Sequence, residues 1–72
     1  MQVSDDQLAI AATAVLDTLK SMAPQILVFI EHAAVSNWER ANPGKDGYLD
    51  NPGVDWKAEG CKLLATAALS AI

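Results

Sequence analysis

The sequence predicts an all-α fold: three helices in one small domain spanning residues 1–72. Three observations lead there. Thirteen of the 72 residues are alanine, which favours helix and lets helices approach closely. Three segments repeat apolar residues at steps of three and four, the spacing of a single helical face. Between the second and third segments lies Asn42 to Gly53, a stretch that begins and ends on Asn-Pro-Gly, a combination that interrupts helices and builds turns.

The first helix is predicted over about 4–22. Ser4-Asp5-Asp6-Gln7 reads as a capping box, in which the Ser4 hydroxyl accepts from the Gln7 N–H and the Gln7 amide reaches back to the Ser4 N–H. Asp5 and Asp6 suit the positive end of the helix dipole. Leu8, Ala12, Val15, Leu19 and Met22 then recur on one face, widened by Ala11 and Leu16.

Pro24 interrupts the pattern. Proline is tolerated in a first helical turn and disruptive in an interior. Ser21 to Pro24 is therefore either a tight corner between antiparallel helices or a kink in one long helix. The corner is favoured because a chain this apolar needs two faces to meet.

The second helix is predicted over about 24–42. Ile26-Leu27-Val28-Phe29-Ile30 would suit a strand in isolation, but Ala33, Ala34, Val35, Trp38 and Ala41 continue it at helical spacing with no turn signal between. Five consecutive apolar residues cover every side of a helix, so this part needs burial all round, by the other helices or by another subunit.

Asn42-Pro43 ends the second helix, because the residue before proline disfavours the helical region, and residues 43–53 form the loop. Either Asn51 or Asp55 is available to cap the third helix, predicted over about 54–72. Trp56, Gly60, Leu63, Leu64, Ala67 and Ala71 line one side of it, with Cys61, Ala65, Ala68 and Ile72 beside them. Gly60 inside a helix costs about 1 kcal/mol relative to alanine, and its expected compensation is the close approach of a neighbouring helix. The last ten residues carry no charge, and this end is expected to be packed, across a subunit interface.

Composition narrows the function. Half the side chains are apolar, yet a domain of this size buries only ~60% of its unfolded surface. The expected resolution is a homo-oligomer or a partner that covers the surplus. The net charge is −4, and the five cations form no stripe, which argues against duplex nucleic acid as a partner. One cysteine excludes an internal disulfide. The N-terminus is acidic rather than basic, and uncharged stretches fall short of the ~20 residues that span a bilayer. A cytoplasmic chain with no membrane span is the expectation.

The chemistry-bearing residues are few. A calcium loop needs oxygen ligands at positions 1, 3 and 5, glycine at 6 and glutamate at 12. Counting from Asn42 places Gly44 at position three and Gly53 at twelve, and counting from Asp46 places Tyr48 at three, so both registers fail. Asp46, Asp50 and Asp55 remain as a looser set. One histidine and one cysteine do not close a transition-metal site within a chain. Cys61 and His32 form a dyad on paper only, since nucleophilic catalysis also needs an orienting group and an oxyanion site. No catalytic residue, metal or cofactor is therefore assigned.

The remaining concentration lies between positions 38 and 57. Trp38, Tyr48 and Trp56 are three of the four aromatics, and Arg40, Lys45 and Lys57 three of the five cations. Such residues dominate interaction hot spots. They also suit a small anionic ligand, such as a nucleotide, stacked on a ring and held by a cation. Structural roles compete: the tryptophans closing the ends of a small core, Ser36, Asn37, Glu39 and Arg40 forming a solvated face, Tyr48 and Leu49 tucking the loop onto the helices. The leading expectation is a non-enzymatic interaction protein, of the bacterial or phage accessory or inhibitor kind, that binds a partner protein through an oligomeric helical surface. The alternative is an oligomeric protein that sequesters an anionic or nucleotide ligand near residues 38–57.

Overall fold

The computed structural model describes residues 3–72. Three helices follow in order, α1 (Asp5–Met22), α2 (Ile26–Ala41) and α3 (Trp56–Ser70), with no strand among the described residues. α3 is the hub. It packs against both α1 and α2, which scarcely touch each other.

The start of α1 is the expected capping box. The Gln7 N–H donates to Ser4 Oγ at 3.1 Å, and the Ser4 N–H donates to Gln7 Oε1 at 3.0 Å. Both bonds are exposed, so their worth is that of an ordinary cap. Ser4→Ala is expected to lower stability by about 1 kcal/mol, measured as a shift in the urea midpoint at unchanged slope.

The helix ends where the backbone turns away at Ala23 (φ −154°, ψ 61°). Pro24 then opens a short turn whose carbonyl accepts from the Leu27 N–H at 3.1 Å. α1 and α2 are thus separate helices, joined through a break at Ala23. The expected inner face of α1, from Leu8 to Leu19, is only half-buried, Met22 is 79% exposed, and no residue of α1 is fully buried.

α2 and α3 run antiparallel and hold the core. Ala34, Val35 and Trp56 form its centre, with Trp38 packed against them. Farther along, Leu27, Cys61 and Ala65 are buried as well. Gly60 lies where α2 and α3 press together: a Cβ there would collide with the Ile30 side chain and sit 2.6 Å from the Ile30 carbonyl oxygen. The compensation expected for this glycine is present.

Two expectations about burial need correction for the single chain. The run Ile26 to Ile30 is not enclosed: Leu27 alone is buried, while Ile26, Val28 and Phe29 are exposed, Phe29 by 73%. On α3 the buried stripe is Trp56, Gly60, Cys61 and Ala65, and Leu63, Leu64, Ala67 and Ala71 are exposed. The reason is geometric. α1 and α2 straddle α3 without closing on each other, so the surface that would face a fourth element stays open. The radius of gyration is 12.7 Å, against the ~11 Å of a compact chain of this length.

Candidate functional site

The loop between α2 and α3 is built by its own side chains. Asn42-Pro43-Gly44 makes a turn in which the Lys45 N–H reaches the Asn42 carbonyl at 3.2 Å and Gly44 takes φ +81°. That is the type II arrangement, which requires a residue tolerant of positive φ after the proline. The second triplet closes likewise, Val54 N–H to Asn51 O at 3.2 Å, but its glycine stays outside the positive-φ region. Between the two, Asp46 Oδ1 accepts from the N–H groups of Tyr48 and Leu49, both at 2.9 Å, and Asp50 Oδ2 accepts from the Asp46 N–H at 2.8 Å. These carboxylates are engaged in holding turns. Asp55 caps α3, its Oδ1 accepting from the Ala58 N–H at 3.2 Å. No cluster of three metal-ligating side chains occurs among the described residues.

The loop is tied to α2 through Glu39 and through the Tyr48 hydroxyl on Glu31, not through Leu49. Glu39 Oε2 accepts from the Gly47 N–H at 2.8 Å. Gly47 is buried against Val35, where a Cβ would stand 2.7 Å from Val35 Cγ1. Glu39 therefore serves as a clamp rather than as part of a solvated face, and Leu49 projects into solvent, 81% exposed. Removing the clamp by Glu39→Ala is expected to lower stability by about 1.5 kcal/mol, the worth of a hydrogen bond to a charged acceptor. It should also speed hydrogen exchange at the Gly47 amide, readable by NMR.

Of the six residues singled out at 38–57, the fold brings two into contact. Trp38 and Trp56 meet edge to face, centroids 6.3 Å apart with planes at 68°. They share a small cleft of about 170 Å³ with Ala34, Asn37, Ala41, Glu59 and Leu63. Arg40 is exposed and reaches Asn37 Oδ1 at 3.5 Å, Lys45 is exposed, and Lys57 is half-buried. None of these cations lines the tryptophan cleft. Tyr48 is tied to α2 about two turns before Trp38, its hydroxyl donating to Glu31 Oε2 at 3.1 Å. Desolvation raises its pKa, and Glu31, Glu39 and Asp46 add to the rise. The surroundings of Tyr48 are thus negatively charged. Cys61 is fully enclosed, with its thiol pKa raised by burial and by Asp55 and only partly lowered by Lys20, whereas His32 is exposed.

A second region carries no charge at all. Ala14, Val15, Thr18 and Leu19 of α1, Ile26 and Ile30 of α2 and Leu64 of α3 line an open groove of about 440 Å³. A smaller, more enclosed hollow of about 140 Å³, lined by Ile30, Ala33, Gly60, Leu63 and Leu64, continues it along the α2–α3 seam. Sequence reasoning had not assembled this groove, although its signal was present in the all-apolar run Ile26–Ile30 and in the uncharged last ten residues.

No family model matches the chain, no curated protein matches its sequence, and no solved structure matches its fold. No helix among the described residues is long and apolar enough to cross a membrane.

Proposed function

We propose that this protein is a small non-enzymatic interaction module, of the bacterial or phage accessory or inhibitor kind, whose copies assemble and present a helical surface to a partner protein. The observation that carries the reading is its surface area. The chain exposes 5059 Å², whereas a compact monomer of 7.6 kDa is expected to expose about 4,300 Å². The chain is therefore less compact than a monomer of its mass, with an excess of roughly 750 Å². Much of what is uncovered is large and apolar: Ile10, Met22, Phe29, Leu63 and Leu64 all stand exposed. In the assembled state the partner meets residues of the 38–57 region, with Trp38 and Tyr48 as aromatic contacts and Arg40 and Lys45 as exposed cations.

Sedimentation velocity on the purified protein tests the assembly. The expected result is a mass that is a multiple of 7.6 kDa at micromolar concentration. A single monomeric species throughout that range would overturn the reading.

The ligand-sequestering alternative ranks second, because the best-formed aromatic cleft includes Glu59 and no cation, and Tyr48 stands among carboxylates that repel an anion. Titration with nucleoside phosphates is expected to leave the tryptophan fluorescence unchanged. A saturable change, abolished by Arg40→Ala, would promote that alternative over the first.

A further inference from the structure

The tryptophan cleft between α2 and α3 holds an unmet hydrogen bond. We propose that it receives a tyrosine side chain of the partner protein, whose hydroxyl accepts from the Trp56 indole N–H and donates to the Glu59 carboxylate. This rests on the interaction-module reading above and names the group that the partner presents.

Trp56 is 8% exposed, and its indole nitrogen is buried without an acceptor among the described residues. Native folds hold few such donors, because a buried N–H left unpaired gives up its hydration and gains nothing in return. Trp56 lines the cleft of about 170 Å³, where Trp38, Ala41 and Leu63 supply further apolar surface and Asn37 and Glu59 the polar groups. The two indole rings stand 6.3 Å apart with planes at 68°, so they wall the cleft in two orientations. Glu59 follows Trp56 by three residues on α3, which puts both on one face of that helix.

These groups narrow the occupant. An anion is repelled by Glu59. A cation meets the Arg40 guanidinium beside Asn37 and has no lone pair for the indole N–H. A hydrocarbon ring fills the space but leaves that N–H unpaired. A serine or threonine hydroxyl accepts and donates but brings no ring against Trp38. Tyrosine joins a ring to an oxygen that both accepts and donates, and its ring packs well against the edges and faces of others. The volume agrees: it falls below the roughly 300 Å³ at which pockets for whole small molecules begin, and it suits a single side chain. Tyrosine is also among the residues that anchor protein interfaces. The indole nitrogen is closed to solvent in the single chain, so the entering ring displaces Trp38, the more exposed of the pair, to reach it.

The test titrates isotope-labelled protein with N-acetyl-tyrosinamide and, in parallel, with N-acetyl-phenylalaninamide, which differs by the hydroxyl alone. Proton–nitrogen NMR follows the two indole N–H signals, assigned with Trp38→Phe and Trp56→Phe. The expected result is saturable binding of the tyrosine compound, at least about tenfold tighter than that of the phenylalanine compound, with the Trp56 indole proton moving downfield as it gains an acceptor. Trp56→Phe should abolish the preference between the two compounds. Glu59→Ala, a change at an exposed position, should reduce it at least about threefold. No binding at the solubility limit, equal affinity for the two compounds, or a preference that survives Trp56→Phe would overturn the proposal. If Trp56→Phe does not fold, Glu59→Ala decides, and an unchanged preference in it would overturn the proposal. Sedimentation tests the assembly separately: a protein that assembles yet ignores the tyrosine compound keeps the interaction-module reading and loses this one.

Discussion

Replacing Trp56 by alanine is expected to leave the protein largely unfolded. Trp56 stands at the centre of the core formed with Ala34 and Val35, and it also holds Trp38 edge to face. Truncating a buried tryptophan costs about 3–5 kcal/mol. A chain of 72 residues holds only roughly 4–11 kcal/mol in total. The rest of the core is made of small side chains, so it has little with which to fill the void. Guanidinium denaturation followed by the fluorescence of the remaining Trp38 reads the loss directly. Trp56→Phe should behave differently. The indole N–H of Trp56 is buried and finds no acceptor among the described residues, an arrangement that costs about 1–3 kcal/mol. Phenylalanine removes that unpaired donor while keeping a ring against Trp38, so its net cost is expected to stay below about 1.5 kcal/mol. A loss in Trp56→Phe as large as that in Trp56→Ala would contradict this, showing that removal of the indole N–H brings no gain.

The second large effect belongs to Gly60→Ala. In an isolated helix this change stabilises by about 1 kcal/mol. Here the sign is expected to reverse, with a net loss of about 1–3 kcal/mol, because the added methyl meets the Ile30 carbonyl as well as its side chain and crowding a packed seam strains the backbone. Trimming the Ile30 side chain cannot relieve a clash with its carbonyl oxygen. A Gly60→Ala, Ile30→Ala double variant should therefore remain less stable than Ile30→Ala alone. A stabilised double variant would mean that α2 and α3 can separate at that point without cost.

Much of the fold was legible because its signals are local. The capping box at Ser4 and Gln7, the proline breaks and the two Asn-Pro-Gly turns each act within a few residues, and the three helices start and stop within about two residues of where those signals put them. Gly60 was legible too, since a glycine inside a helix costs free energy unless something approaches it. What the sequence did not disclose was which sides of α2 and α3 turn inward. Periodicity marked Leu63, Leu64, Ala67 and Ala71 as one apolar side, but an apolar stripe does not say whether a neighbour exists to cover it. The neighbours are placed by α1 and α2 both docking on α3, which is a tertiary outcome. The same holds for Glu39. Nothing local distinguishes a clamp to Gly47 from a solvated carboxylate eight residues away in sequence. Proximity in sequence also overstated the candidate site. Trp38 and Trp56 do meet, but Arg40 and Lys45 remain in solvent and Tyr48 joins Glu31, about two turns before Trp38 along α2.

A single chain leaves large apolar side chains uncovered, and we propose that assembly covers them. If so, folding and association are linked, and stability depends on protein concentration. Thermal unfolding measured over a hundredfold range of concentration tests this most directly. The midpoint is expected to climb by more than about 5 °C across that range. A midpoint that holds constant from the lowest concentration to the highest would contradict it.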